Sequence, residues 1–516
     1  MKQWHQLLSH ARIYLTQNPN DANLTTEELR QMVGQMTASH LINRVQRYVA
    51  KIQGTKQFWY QRYQELKALI KQKGAPTFFF TFSAADNHWP DLHRLLQEPN
   101  HAVPSIRIRA VIDNPHVTDA FFVSRLDEFC SHWLDSVMDA KWKWLRSEWQ
   151  ARGSIHAHGC AKLSNDPGLC SLVKTAAQGW KLEQILRCHE QHSSFHQMSN
   201  DFEPQIEAGH QAQETVKAYA NWLVTTINDA LPQDNWTIPS PHPSAISIDD
   251  VGNLDRDYEA LVKSVERHTK CSTAYCIKIK PGQKPACRFP KDCQDETTID
   301  FQLIATAGSD DHELKVEEIT QAQVKATVTT KRNDGRINSH NRVMLQHWRA
   351  NVDLQAIVDT DQCIRYLAKY ATKGEPRSQS ASEILAACVN RLDNTDMASS
   401  ALRRAMIQVA RERDIGSQTA RMLLGKPLYS CTYSFLCVSL DGSRRVRAGD
   451  EDDENRGDQA LDPSVLDHYA TRANWQENNP EILNLNLVQF ASAYYVTKGE
   501  LQILQEKIMV ITASML

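Results

Sequence analysis

The chain has 516 residues, 41% apolar and 23% charged, which predicts a soluble globular protein of about three domains with a sizeable core. Its 58 Lys and Arg are outnumbered by 61 Asp and Glu, giving a formal net charge of −3, so a nucleic-acid surface must be a local patch. No apolar run reaches the ~18 residues of a membrane span. His5 and Arg12 stand where a secretory signal needs an apolar core, and twelve cysteines without such a signal predict thiols in a reducing compartment, cytosolic or nuclear.

Residues 1–75 read as a helical region, with a start at Thr25 or Thr26 followed by Glu27 and Glu28, and with Phe58, Tyr60, Tyr63, Leu66, Leu69 and Ile70 near a 3.6 period. Residues 77–83 are aromatic and β-prone, which predicts a buried strand. A helix is expected over 118–138, then strands near 142–149 and 154–163 joined by the Ala151-Arg152-Gly153 turn, then helices over 170–190 and 211–229. Residues 230–248 carry four prolines and read as a linker or long surface loop. Past a cysteine cluster at 268–293, strands are expected at 299–305, 324–330 and 352–358, and helices at 361–373, 381–392 and 398–412. The acidic run 449–458 reads as a solvated loop, and 377–516 as a helical region and tail. Strands and helices mixed without regular βαβ alternation predict an α+β fold.

Two spacings carry chemistry. His156 and His158 are two apart, so on a strand they share a face and can share a cation. Glu148, eight residues before His156, should lie on the partner strand; Gln150 shares its face, and the third ligand is left open between the two. A carboxylate would shift the site towards Mg²⁺ or Mn²⁺. Cys160 continues the face, so a structural zinc on His156, His158 and Cys160 is the competing use. Tyr366, Lys369, Tyr370 and Lys373 fall on one helical face, while Leu367 and Ala371 supply a separate apolar stripe. Neither pair is informative alone, since chance gives about 0.8 His-x-His pairs and about 0.4 Tyr-x-x-x-Tyr pairs in such a chain.

A third cluster lies between them. His268, Cys271, Cys276 and Cys287 can make one tetrahedral zinc site, with buried free thiols as the alternative. Lys263, Arg267, Lys270, Lys278, Lys280, Lys284, Arg288 and Lys291 surround it against only Glu266 and Asp292, the best basic patch in the chain, with Tyr275 and Phe289 available to stack on bases.

Ordered blocks from about residue 24 to about residue 440 resemble the replication-initiator part of Helitron transposases, within the HUH endonuclease group. The blocks are Phe78 to Asp86 with His88 to Leu92; Glu148-Trp149-Gln150 with Arg152-Gly153 leading into His156 and His158; Arg332-Asn333-Asp334, Asn338 and Trp348 to Gln355; and Tyr366 to Glu375. The resemblance implies an HUH-type antiparallel sheet flanked by helices, built from 76–229 and 299–376, with a small zinc module at 230–298 between the halves. It implies Mg²⁺ or Mn²⁺ at the histidines, and nicking and joining of single-stranded DNA at transposon ends through a 5′-phosphotyrosine. A nuclear location and no membrane partner follow from the same likeness. The chain departs from the family after Cys287, where the aromatic-Gly-aromatic-Pro stretch is shortened to Arg288-Phe289-Pro290, which leaves Cys287 and Cys293 as alternative fourth zinc ligands.

No GxxxxGK[S/T] phosphate loop occurs in the sequence, so a helicase would have to be encoded downstream or act in trans. On this reading the chain is an initiator fragment, a decayed element or a retained remnant. A DNA-binding remnant that uses the zinc-organised basic surface without catalysis is the competing function.

Overall fold

The computed structural model describes residues 15, 19–34, 56–97, 103–149, 154–189, 195–225, 237–269, 271, 276–278, 284–289, 291–304, 316–361, 363–364, 381–390, 398–411, 421, 427–438, 445–446, 461–497, 499–504 and 508–512. The chain divides into two compact units, one of residues 74–364 with 416–430 and one of 1–73, 365–415 and 431–516.

The first unit is built on β-strands β1 (Phe78–Ser83), β2 (Ala140–Trp149), β3 (Ile155–Leu163), β4 (Ile277–Lys278), β5 (Ala286–Cys287), β6 (Thr298–Ile304), β7 (Gln323–Thr329), β8 (Val352–Ala356) and β9 (Tyr429–Cys431). Five of them form one sheet in the order β8-β1-β3-β2-β9, and β1 runs antiparallel to both β3 and β8. Alternation gives this sheet two unlike faces. Phe78, Phe80 and Phe82 of β1, Ala157 and Ala161 of β3, and Val352 and Leu354 of β8 join one buried cluster with Phe122, Leu126, Trp133 and Trp348. Trp348 packs edge-on against Phe122, and its indole N–H donates to the Ser83 carbonyl at 2.8 Å. Each such side chain taken out of water contributes roughly 1.5–3 kcal/mol, so the aromatic face fixes which way β1 lies.

The helices over that face are Pro90–Leu95, Pro104–Asp113, Pro115–Phe129, Leu254–Leu261 and Arg342–Trp348. Proline stands first in the first three, where its fixed φ suits the opening turn and its missing N–H costs nothing. The segment expected as one helix over 118–138 starts at Pro115 and continues after Phe129 as a π-helix over Cys130–Val137. The wider winding places Trp133 and Leu134 on the core. Arg349 ends the helix at Trp348 in the left-handed conformation, φ +64°, and its buried guanidinium pairs with Asp257 at 2.6 Å. Arg125 lies over the rings of Trp89 and Trp348, with its carbon 4.9 and 5.5 Å from their centres.

A long helical pair, Leu169–His189 and Phe195–Leu223, crosses at Gly179 and Gly209, where a Cβ on either would sit 3.0 Å from the Cα of the other. The second helix therefore begins well before the expected residue 211. The β6–β7 hairpin packs on this pair through Ile299 and Ala326. Within 237–250, part of the expected linker, two short 3₁₀ turns occur, Pro243–Ala245 and Ile248–Asp250.

In the second unit, the helix Thr26–Gly34 starts as its sequence suggests. The Thr25 N–H donates to Glu28 at 2.8 Å and the Glu28 N–H returns a bond to the Thr25 hydroxyl at 3.2 Å. The helix Lys56–Lys73 buries Phe58, Trp59, Leu66, Leu69 and Ile70. Helices Ala381–Asn390 and Ala398–Arg411 follow later in the chain. The stretch 377–516, expected as helices and tail, also holds strands. Ser434–Val438 pairs in parallel with Ile508–Thr512, and Tyr494–Thr497 forms a hairpin with Glu500–Ile503 that turns at Gly499, φ +84°. Those strands are short, and their partners are remote or immediately adjacent, so periodicity carries little signal. No helix among the described residues is long and apolar enough to cross a membrane.

Candidate metal centres

The second face of the five-stranded sheet carries the chemistry. In register across β1, β3 and β2, Thr81 pairs with His158 and His158 with Arg146; Ser83 pairs with His156 and His156 with Glu148. His156, His158 and Glu148 therefore share one face, opposite Phe78, Phe80 and Phe82. Glu148 Oε2 lies 3.1 Å from His158 Nε2, with both side chains largely buried. The two imidazole centres are 6.2 Å apart. Gln150, the alternative ligand, lies outside the described residues.

Three neighbours hold the His158 ring. Thr81 Oγ1 is 3.0 Å from Nδ1, Glu148 stands at Nε2, and the Phe79 ring stacks on the imidazole at 6.1 Å and 21°. Cys160 continues the same face of β3 and is fully buried; among the described residues the one group whose ligand atoms all lie within 4.8 Å of one another is His268, Cys271, Cys276 and Cys287, and it includes neither Cys160 nor His156, His158 and Glu148. Asp353 of β8 pairs with Thr81 on the next strand, and Gln355 donates to it at 3.0 Å. Burial raises the Asp353 carboxyl above its usual range, with Lys291, His158 and Arg332 pulling the other way. The sequence reading missed Thr81 and Asp353 as site residues. A lone hydroxyl between Phe80 and Phe82, and a lone acid between Val352 and Leu354, were the available signals.

Beside His156 opens a cavity of about 700 Å³, whose wall includes Asp86, Trp149, Glu266, His268 and Asn351. Glu266 is fully buried and accepts from the Val352 N–H at 2.8 Å and the Asn351 amide at 3.0 Å. Burial still pushes its carboxyl well above the usual range. Burial likewise raises Asp86, which accepts from the Ser154 hydroxyl at 2.7 Å.

His268 on the cavity wall belongs to the Cys/His cluster. His268, Cys271, Cys276 and Cys287 each offer one ligand atom, all within 4.8 Å of one another. His268 Nε2 is 3.4 Å from both Cys271 Sγ and Cys287 Sγ. A tetrahedral zinc with the usual bond lengths separates nitrogen from sulfur by about 3.6 Å, so the four atoms fit zinc. The hairpin sets this up: Ile277 pairs with Cys287 across β4 and β5, and the Arg288 N–H donates to the Cys276 carbonyl at 3.0 Å. Cys293 is exposed and outside the group.

Two members of the basic patch are ion-paired. Lys263 is paired with Glu259, and Arg267 with Asp334 at 2.5 Å, acids that lie outside the window counted around the cysteines. Phe289 packs on His268 at 4.7 Å beneath the Arg288 guanidinium at 4.8 Å, so its ring is already engaged. Arg288 and Lys284 are exposed. Lys270, Lys280 and Tyr275 lie outside the described residues, as does the side chain of Lys278. So do Tyr366, Lys369, Tyr370 and Lys373, the whole of the expected tyrosine face.

Residues 1–160 match the family model described as the Helitron helicase-like domain at the N-terminus. That stretch takes in β1, β2 and both histidines of β3. No curated protein matches the chain. Through its first 160 residues the chain is related to Helitron proteins.

Proposed function

We propose that the chain nicks and rejoins single-stranded DNA, using a Mg²⁺ or Mn²⁺ held by His156, His158 and Glu148 and a tyrosine nucleophile, Tyr366 or Tyr370. The observation that carries this reading is the placing of two imidazoles and one carboxylate on one sheet face, with Glu148 Oε2 3.1 Å from His158 Nε2. This donor set suits a hard or borderline divalent cation. The Helitron match over the same strands supports the choice of nucleic acid as substrate. The cation, when bound, would neutralise charge on the phosphate oxygens as the bond breaks.

The chain's own residues supply the rest. A tyrosine hydroxyl, with an ordinary pKa near 10, is a poor nucleophile at neutral pH; Lys369 and Lys373, one helical turn along, would favour its phenolate. Attack forms the tyrosine oxygen–phosphorus bond and breaks the bond to the 3′ oxygen, which leaves as a 3′-hydroxyl. The phosphodiester energy is kept in the 5′-phosphotyrosine, so a later attack by a 3′-hydroxyl rejoins the strand without ATP. A second tyrosine lets two strands be held in turn. Transposon ends are the substrate, the nucleus the place of action, and a helicase, encoded downstream or acting in trans, the partner of this reading.

The test is an adduct that survives denaturation. Protein, Mn²⁺ and single-stranded oligonucleotides labelled at either end should give a covalent species carrying the downstream fragment. Changing His156 and His158 to Ala should abolish it. Well-folded wild-type protein that forms no adduct on many substrates would favour a second reading, a DNA-binding remnant without catalysis. The close grouping of His268, Cys271, Cys276 and Cys287 next to exposed Arg288 supports that alternative.

A further inference from the structure

We infer that Thr81 is the positioning residue for the metal ligand His158, and that its hydroxyl decides which imidazole nitrogen is offered to the cation. This inference rests on the metal reading of His156, His158 and Glu148. It adds a residue from a different strand, one that touches the ligand and not the cation.

The argument begins with alternation. β1 reads Phe78-Phe79-Phe80-Thr81-Phe82-Ser83, and three of its phenylalanines belong to the core. Thr81 is the one hydroxyl placed opposite His158, its register partner on β3. The Oγ1–Nδ1 separation of 3.0 Å is a hydrogen bond. The other ring nitrogen, Nε2, faces Glu148 Oε2 at 3.1 Å. The imidazole is therefore spanned end to end, with Thr81 at one nitrogen and the carboxylate at the other.

A hydroxyl has a property here that a carboxylate or a carbonyl lacks, because it both donates and accepts. With no cation present, the Thr81 O–H donates to Nδ1 and the Nε2–H donates to Glu148. Were His158 to offer Nε2 to a cation, its remaining ring proton would sit on Nδ1, where the Thr81 hydroxyl could accept it. The same side chain thus satisfies a largely buried nitrogen in both states, and the ring keeps its orientation when the cation arrives. Without the hydroxyl, Nδ1–H in the loaded state would point at an apolar group, a cost set directly against metal binding.

The experiment measures metal affinity and needs no DNA cleavage. Mn²⁺ is titrated into full-length wild-type protein and into Thr81→Val and Thr81→Ser variants, with circular dichroism to confirm folding. Val keeps the branched shape that suits a strand and removes only hydroxyl chemistry; Ser keeps the hydroxyl. Thr81→Val should bind Mn²⁺ about 10-fold or more weakly, the usual scale for losing a ligand's outer partner, and Thr81→Ser should bind as wild type does. Equal Mn²⁺ affinity for wild type and Thr81→Val overturns the inference and leaves the metal reading standing. Equal loss in both variants also overturns it, because the effect would then follow packing and not the hydroxyl. A wild-type protein whose Mn²⁺ affinity is unchanged by His156→Ala and His158→Ala overturns the metal reading, and this inference with it.

Discussion

His340 shows how single residues set conditions for the fold. It is fully buried, its Nδ1–H donates to the Asn338 carbonyl at 2.9 Å, and Nε2 accepts from the Tyr258 hydroxyl at 2.8 Å. Both nitrogens of a neutral ring are satisfied, and burial pushes the pKa down to about 4 from 6.5. The folded state thus binds this proton less readily than the unfolded chain. Stability is present above about pH 6.5 and is lost as pH falls through about 4, a contribution on the order of 3 kcal/mol. Urea unfolding at pH 7 and pH 4.5 should show this loss, and His340→Gln should flatten it; an unchanged pH slope in the variant would contradict the assignment. Gly159 makes a second residue-scale case. A Cβ there would lie 2.4 Å from Phe80 Cζ and 2.9 Å from the Trp144 carbonyl oxygen, between core ring and backbone. Gly159→Ala should cost roughly 1–3 kcal/mol, read as a lower urea midpoint, and an unshifted midpoint would mean that β1 and β3 are not packed this closely.

Secondary-structure elements were legible in proportion to how local their causes are. Strands β1, β2, β3, β6, β7 and β8 lie within a few residues of where alternation placed them, since each buries one face on a core. The shared face of His156, His158 and Glu148 was equally readable, because it follows from a period of two and one turn. What escaped the sequence depends on pairing between distant segments. That β8 lies beside β1, bringing Asp353 next to Thr81, is set by the Phe80–Leu354 core and not by any local signal. The pairing of Arg267 with Asp334 is likewise invisible in a window around the cysteines. For the zinc loop, short-range spacing named His268, Cys271 and Cys276 with Cys287 or Cys293 as the fourth ligand, and the β4–β5 hairpin explains why Cys287 is the one that meets them. Purified protein should carry about one zinc per chain, and Cys271→Ser with Cys276→Ser should release it. Metal analysis that finds no zinc in native protein would retire the cluster as a ligand set.

At the scale of the whole molecule, the histidine face of the sheet and the Cys/His cluster belong to one unit, and His156 and His268 line one cavity of about 700 Å³. Tyr366 and Tyr370, the nucleophiles of the proposed chemistry, lie in a segment outside the described residues. The Helitron match ends at residue 160 and says nothing of that segment. The most direct measurement is the identity of the amino acid that holds the DNA. Wild-type protein is incubated with Mn²⁺ and a single-stranded oligonucleotide, digested with trypsin and nuclease, and the nucleotide-bearing peptide sequenced by mass spectrometry. The account predicts a 5′-phosphonucleotide on Tyr366 or Tyr370, lost entirely when both are Phe. A nucleotide attached to any other residue, or an adduct that persists in the double Phe protein, would contradict it.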